Sequence, residues 1–373
     1  MKTLKRILAA TTLLVTLGFA SEANAQVPLE NFFKNPEKAG YQISPDGKYF
    51  SYMAPYENRL NLFVQEVGSD KATRITSETV RDLAGSMWAN GHRILYIKDT
   101  AGDENFQLYG VNVDGTDSKA YTAFPKVRTT IIDPLENIDS LVIIGLNKRN
   151  PQVFDPYRLN LNNGELTQLA ENPGNIQGWM TDHNGKLRVA LAIVDGVNTQ
   201  ILYRETEEQP FRPVLTTNFR ETVSFATFTP DNKMVYALTN IGRDKTALVL
   251  MDPATCEEKE VLYTNDKYDI SGLGYSELKK KLISVSCTGH KGTIRHYFDK
   301  NEEAIRTKLE QKLEGYDINT TSEDKSENIR IIYAGGDRTY GTYYTYNVKE
   351  DKLTKIADLA PWIKEASNPQ LRA

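Results

Sequence analysis

The stretch SPDGKYFSYMA, residues 44–54, sets a tight turn directly in front of a strand. Pro45 and the Asp46-Gly47 pair supply turn dihedrals, and the aromatic-rich run behind them suits a pleated, half-buried surface. The same kind of run returns along the chain: RILYIKD at 93–99, SLVIIGLN at 140–147, LRVALAIV at 187–194, KMVYALTN at 233–240, KLISVSC at 281–287 and IRIIYAGG at 329–336. Counted from Lys48, the starting positions are spaced by about 45 to 48 residues. That is the period of a four-stranded propeller blade.

The remaining strands fall around each run. Turns such as DHNG at 182–185 and TPDN at 229–232 precede it, and third strands such as NLFVQEV (61–67), QLYGVNV (107–113) and ALVLMD (247–252) follow a looser loop. A more polar fourth strand closes the unit, as in LTQLA (166–170) and LTKIA (353–357), after hairpin turns such as Asp114-Gly115 and Asn163-Gly164. Seven units fit between Tyr41 and Ala360. The fold expected is therefore all-β: a seven-bladed β-propeller of four-stranded antiparallel blades over residues 41–362. One four-stranded sheet buries neither face alone, and radial stacking covers both. Seven whole blades leave no strand over, so the ring is expected to close without a borrowed strand, with the lead-in 26–40 against the join. Residues 301–314 place Ala304, Ile305, Leu309 and Leu313 at loose helical spacing, but the expectation there is an outer hairpin of blade six.

Composition agrees with strands and tight turns: the chain has 20 Tyr and 24 Gly. At the N-terminus Lys2, Lys5 and Arg6 precede an apolar run from Ile7 to Phe19 and the exit Ala23-Asn24-Ala25. Residues 1–25 thus read as a secretory signal peptide, the run being shorter than the roughly 20 residues of a spanning helix. The expected location is exported, periplasmic or secreted. Removing those residues takes away Lys2, Lys5, Arg6 and Glu22, which leaves 42 Lys and Arg against 48 Asp and Glu, a net charge of −6. An acidic chain without a basic run is a poor partner for nucleic acid. Two cysteines, Cys256 and Cys287, do not make a disulfide framework, and strand directions put them on opposite faces of the ring as free thiols.

Chain direction within a blade decides which loops share a face. Turns joining first to second and third to fourth strands lie on one side, where they read as short and generic. Loops joining second to third strands lie on the other with the inter-blade crossings, and they carry Asp103, Glu104, Arg149, Arg243, His290 and Arg338. These six form the expected partner or substrate face. The arginines have forked donors suited to carboxylates, against the plainer reading of a solvated or locally paired arginine. No metal site is expected: Asp99, Asp103 and Glu104 lack the ladder of a calcium loop, and none of the four histidines has zinc-ligand spacing. No cofactor motif occurs either. The serine elbow Gly-x-Ser-x-Gly is absent, the nearest approaches being Gly274-Tyr275-Ser276-Glu277-Leu278 and Ala84-Gly85-Ser86-Met87-Trp88.

Several of these residues carry a family resemblance. Trp88 with Arg93-Ile94-Leu95-Tyr96, then Lys98-Asp99, Gly102-Asp103-Glu104-Asn105 and Leu108-Tyr109, resembles the propeller of prolyl oligopeptidase family serine peptidases of the acylaminoacyl-peptidase and dipeptidyl-peptidase type. So do the Ser-Pro-Asp-Gly-Lys turn and the ending Asp337-Arg338-Thr339-x-Gly341-x-Tyr343-Tyr344 with Leu359-x-Pro361-Trp362. The resemblance covers essentially all of the chain after the signal. It implies a non-catalytic propeller that gates access to an α/β-hydrolase domain, the partner being in cis in a longer parent or in trans, with a peptide as substrate. That domain supplies Ser, Asp and His, so no triad position carries over to this chain. The ending 363–373 is expected to be a linker or tail. The alternative is a stand-alone periplasmic binding or scaffold propeller.

Overall fold

The computed structural model describes residues 27–290, 292–336 and 339–363. Residues 1–26, which include the expected signal peptide, lie outside the described residues, as do Lys291, Asp337, Arg338 and residues 364–373. Within them the strands form seven antiparallel sheets, each built in chain order from consecutive hairpins. The second strands are Tyr49–Tyr56, Arg93–Lys98, Leu141–Leu146, Leu187–Val194, Val235–Thr239, Lys281–Gly289 and Ile329–Gly336. They are the seven recurring runs, and the fold is the seven-bladed propeller.

Apolar side chains fill the gaps between adjacent sheets. Val189, Ile201 and Tyr203 of blade four pack with Val235, Ala237 and Val249 of blade five, and Leu95 and Leu108 of blade two meet Val142, Ile144 and Leu159 of blade three. The ring closes in the same way. Tyr41, Ile43, Phe50 and Tyr52 of blade one bury against Ile331 of blade seven, while Ile43 N donates to Ser322 Oγ at 3.1 Å and Lys325 N to Pro45 O at 2.9 Å. Blades one and seven each take all four strands from their own end of the chain, so none is borrowed. The lead-in forms a short helix, Leu29–Phe32, tied to the far end of the chain: Tyr340 donates to Phe32 O at 3.0 Å and Trp362 Nε1 to Asn31 O at 2.9 Å.

Blade six departs from the expectation. Its sheet has three strands, Ile270–Ser276, Lys281–Gly289 and Gly292–Tyr297, and the chain then enters a helix at Lys300–Lys312. The outer hairpin expected over 301–314 is thus corrected to a helix, for local reasons. Asp299 caps it by accepting from Asn301 N at 2.9 Å and Glu302 N at 3.4 Å. Glu302 and Glu303 in the first turn and Lys312 in the last complement the dipole. Leu309 and Leu313 bury against Ile318, Ile332, Ala334 and Tyr346 of blade seven. The helix therefore covers the blade-seven face that a neighbouring sheet covers elsewhere.

A buried ion network locks it there. The Glu302 carboxylate takes both Arg330 guanidinium nitrogens at 2.7 and 3.0 Å and Lys279 Nζ at 2.8 Å. Burial opposes ionisation of Glu302, but its bonds from Arg330 and Lys279 outweigh that and hold the carboxyl below its ordinary value of 4.5. Both cysteines are free thiols, Cys287 being the more buried.

Arg330→Met should lower stability by about 3 kcal/mol, because it strips the main partner from a buried carboxylate. Since the folded-state carboxyl titrates below the unfolded one, this contribution is fully present above pH 4.5 and is lost as pH falls through the depressed value. Thermal melts of wild type and variant should differ clearly at pH 7 and converge on acidification. A gap in Tm that stays constant down to pH 3 would show that the ion pair does not carry the effect.

Candidate docking face and channel mouth

Because every sheet is a string of consecutive hairpins, strand ends alternate between two faces. The first-to-second turns of neighbouring blades meet: a Cβ placed on Gly91 would lie 3.1 Å from the Asp46 side chain, and one on Gly47 would lie 3.2 Å from Asp324. The second-to-third loops and the inter-blade crossings share the opposite face.

On that face the charged residues singled out from the sequence serve their own blades. Asp103 accepts from the backbone of Thr100 at 3.2 Å and of Asn105 at 3.1 Å, and hydrogen bonds from Asn105 hold its carboxyl low. Glu104 is exposed with φ 57°, its N–H donating to Asp99 Oδ2 at 3.2 Å. Arg149 grips the fully buried Asp155 with Nε at 2.9 Å and Nη2 at 3.0 Å, and also donates to Asn172 O at 2.7 Å. Its fork thus joins the blade-three loop to the crossing that follows. Arg243 bonds Glu258 at 2.6 Å, and the exposed His290 meets Tyr268 edge-on at 5.9 Å. Arg338 lies outside the described residues. Among the described residues of this set, none hydrogen-bonds another.

The same face carries a feature that charge-based reading passed over. Val80, Val197, Phe219 and Ile241 stand exposed on its loops, and Leu29 and Phe33 of the lead-in stand exposed beside Tyr340. Phe219 is 74% and Phe33 78% accessible. The signal in the sequence is a large apolar residue set among polar loop residues, as in Asn218-Phe219-Arg220. On the opposite face Val67, Leu278 and Phe298 are exposed, so most but not all of the exposed apolar loop residues lie on this face, and such a concentration marks an interaction surface.

The opposite face is less generic than its turns suggest. The blade-three loop between Asp133 and Leu141 is seven residues long, against two to six for the equivalent turns of the other blades. It reaches across the axis. Asp139 pairs with Lys325 of blade seven at 2.7 Å, Asn137 Nδ2 donates to Glu277 of blade six at 2.9 Å, and Asn90 of blade two donates to Asp139 O at 3.1 Å. Leu135 anchors the loop, buried and in the left-handed region at φ 51°. His183 of blade four faces Glu277 at 3.4 Å and stacks on Tyr275 at 5.4 Å. This loop bars the mouth of the channel.

Behind it lies a cavity of about 910 Å³ lined by residues of blades one, two, three, six and seven and of the helix Lys300–Lys312. Glu136 projects into it. Desolvation first, then the neighbouring charges of Glu277 and Asp133, lift its carboxyl above the ordinary range.

No family model matches the chain. It is 28% identical over 341 residues to dipeptidyl aminopeptidase BIII of Pseudoxanthomonas mexicana, the match covering 88% of this chain and 48% of that protein. It is 26% identical over 355 residues to dipeptidyl peptidase family member 6 of Caenorhabditis elegans, covering 89% and 47%. A solved prolyl endopeptidase shares the fold with a TM-score of 0.60 at 12% identity, over 94% of this chain and 55% of that one. The resemblance seen in the sequence therefore holds: the chain is similar to dipeptidyl peptidases and spans about half the length of the curated relatives it matches.

Lys325→Ala combined with Glu277→Ala should free the blade-three loop. Amide hydrogen exchange over residues 134–140 should accelerate by about tenfold or more, while the melting temperature moves little, since exposed pairs contribute roughly 0–1 kcal/mol each. Unchanged protection of that loop would mean that the buried Leu135 and the Asn90 bond to Asp139 O hold it without the charged contacts.

Proposed function

We propose that this chain is the non-catalytic propeller of an exported peptide hydrolase, docking an α/β-hydrolase domain on the face of its second-to-third loops and restricting what reaches it. The observation that carries this reading is the match to two dipeptidyl peptidases over nearly nine-tenths of the chain and about half of theirs. The exposed Val80, Val197, Phe219 and Phe33 support the choice of face, together with the meeting of lead-in and chain end at Trp362. A second domain joined at either end would emerge beside that surface. Arg149 and Arg243 give such a contact a preorganised polar rim rather than free charges, since each is held by a carboxylate. Export rests on the leader read in residues 1–25.

Two measurements test the proposal. The purified chain should show only background turnover of dipeptidyl chromogenic substrates, because acyl transfer of this type needs an activated serine and oxyanion donors. Turnover that a serine-reactive phosphonate abolishes would overturn it. Isolated from its source cells without residues 1–25, the chain should elute larger than a single mature copy, which is lighter than the 42.1 kDa of the full sequence. Phe219→Asp with Val80→Asp should return it to the single-copy mass, whereas charge changes at Asp114, Glu165 and Glu350 should not. Elution at the mass of the chain alone from native cells would favour the stand-alone binding propeller.

A further inference from the structure

Blade six presents two unlike faces. Ile270, Leu273, Val285 and Cys287 pack against Leu248, Tyr236 and Leu238 of blade five. The opposite face of its inner two strands is built of Gly272 and Gly274 paired with Ser286 and Ser284. A Cβ on Gly272 would stand 3.0 Å from Ser286 Oγ and one on Gly274 2.8 Å from Ser284 Oγ, so all four share that face. Small and polar residues leave the seam toward blade seven unfilled. The cavity of about 910 Å³ occupies it, running from Trp88 and Glu136 at the axis to Ser284, Arg295, Tyr297 and Ile305 beside the helix.

Most charges that line this space are already matched. Glu302 and Glu323 hold Arg330, Glu327 holds Lys279, and Arg306 is taken by Glu310 and Ile318 O. Lys325 is held by Asp139, Glu277 by Asn137 and His183, and Asp324 by the N–H groups of Asn328 and Ile329. Among the described residues two lining charges have neither a hydrogen bond nor an ion pair: the half-buried guanidinium of Arg295 and the carboxylate of Glu136. Two buried donors lining the same space, Trp88 Nε1 and the Tyr275 hydroxyl, also lack a partner. Buried polar atoms are normally satisfied, so orphans around a roomy cavity point to a polar occupant.

We propose that the hollow seam between blades six and seven binds a short peptide with free termini, its carboxylate on Arg295 and its ammonium toward Glu136. The ligand class rests on the peptide-hydrolase reading above. A zwitterion answers both unmatched charges at once, the guanidinium offering its fork to a carboxylate. An ammonium near Glu136 relieves the carboxylate crowding around that residue. Peptide amides supply acceptors for Trp88 Nε1 and Tyr275. The volume suits a few residues, lying within the roughly 300–1,000 Å³ of ligand pockets.

Calorimetric titration of the purified chain with tetraalanine tests this. Tetraalanine should bind, and its N-acetyl and C-amide forms should each bind about tenfold more weakly, the loss of one charge-assisted contact. Arg295→Gln should erase the discrimination against the C-amide alone, and Glu136→Gln that against the N-acetyl form alone. Both side chains lack partners in the protein, so neither change disturbs the fold. Ile305→Trp, which fills the seam, should weaken all three ligands with the circular dichroism spectrum retained. No binding at millimolar tetraalanine, equal affinity for blocked peptides, or discrimination that survives Arg295→Gln and Glu136→Gln would each overturn the proposal. None of these positions lies on the docking face. Failure here with the larger complex intact would sink the seam site alone, and loss of the complex on native isolation would sink the docking reading alone.

Discussion

Each sheet in this ring must be covered on both faces by its neighbours, and the structure is governed by how that cover is found. Among the described residues five of the seven seams are met by branched and aromatic side chains of adjacent blades, as at Val189 with Val235 or Ile43 with Ile331. Blade six offers Gly272, Gly274, Ser284 and Ser286 to blade seven, and such residues bury too little apolar area to close a seam at about 25 cal/mol per Å². The apolar face of blade seven still needs cover. The helix Lys300–Lys312 supplies it through Leu309 and Leu313. The three-stranded form of blade six, the ion network at Glu302 and the cavity are therefore one event: the chain leaves the sheet to satisfy its neighbour, and charges bind the helix where packing is incomplete.

The same requirement explains why charge is a poor guide to the proposed docking face. Loops at strand ends must satisfy their own backbone and cross to the next blade, and arginines such as Arg149 are used for that, clamped on a carboxylate with no exposure. Withdrawing Arg149 would leave the buried Asp155 carboxylate without its forked partner. Apolar side chains such as Phe219 have no such local duty and still face solvent. Energetically they are the residues with something to gain from a partner.

Much of the fold was legible because propeller strands repeat a local pattern. Runs such as LRVALAIV and IRIIYAGG are apolar on both faces, and turns such as Ser44-Pro45-Asp46-Gly47 fix their own dihedrals, so both can be read without knowing the neighbours. The helix at 300–312 was harder. Its apolar stripe is narrow and its charges numerous, so periodicity alone favoured a solvated hairpin, while the capping Asp299 ahead of Glu302 and Glu303 was the clearer signal. The length of the blade-three loop could be read from DPLENIDS, residues 133–140. Its reach to Glu277 and Lys325 could not, since those partners lie 140 and 186 residues away. The alternation of Gly272, Gly274, Ser284 and Ser286 is likewise present in the sequence, but it becomes a face only once the register is known.

Closure and opening are unevenly distributed around the ring. The seam between blades one and seven, where the two ends of a propeller must be joined, is sealed by Tyr41 packed on Tyr343 at 5.4 Å, by backbone hydrogen bonds and by the clip at Trp362. The seam one blade earlier is held by ions around a void. Ion pairs at a buried seam add less cohesion than apolar packing, because desolvation offsets much of their attraction. If a hydrolase covers the docking face and the blade-three loop bars the other mouth, the seam between blades six and seven is the part of the wall with the least apolar packing to break. Local opening follows the lowest density of buried apolar contact, so relaxation of the ring should begin between Ser284 and the helix rather than at the join of its termini.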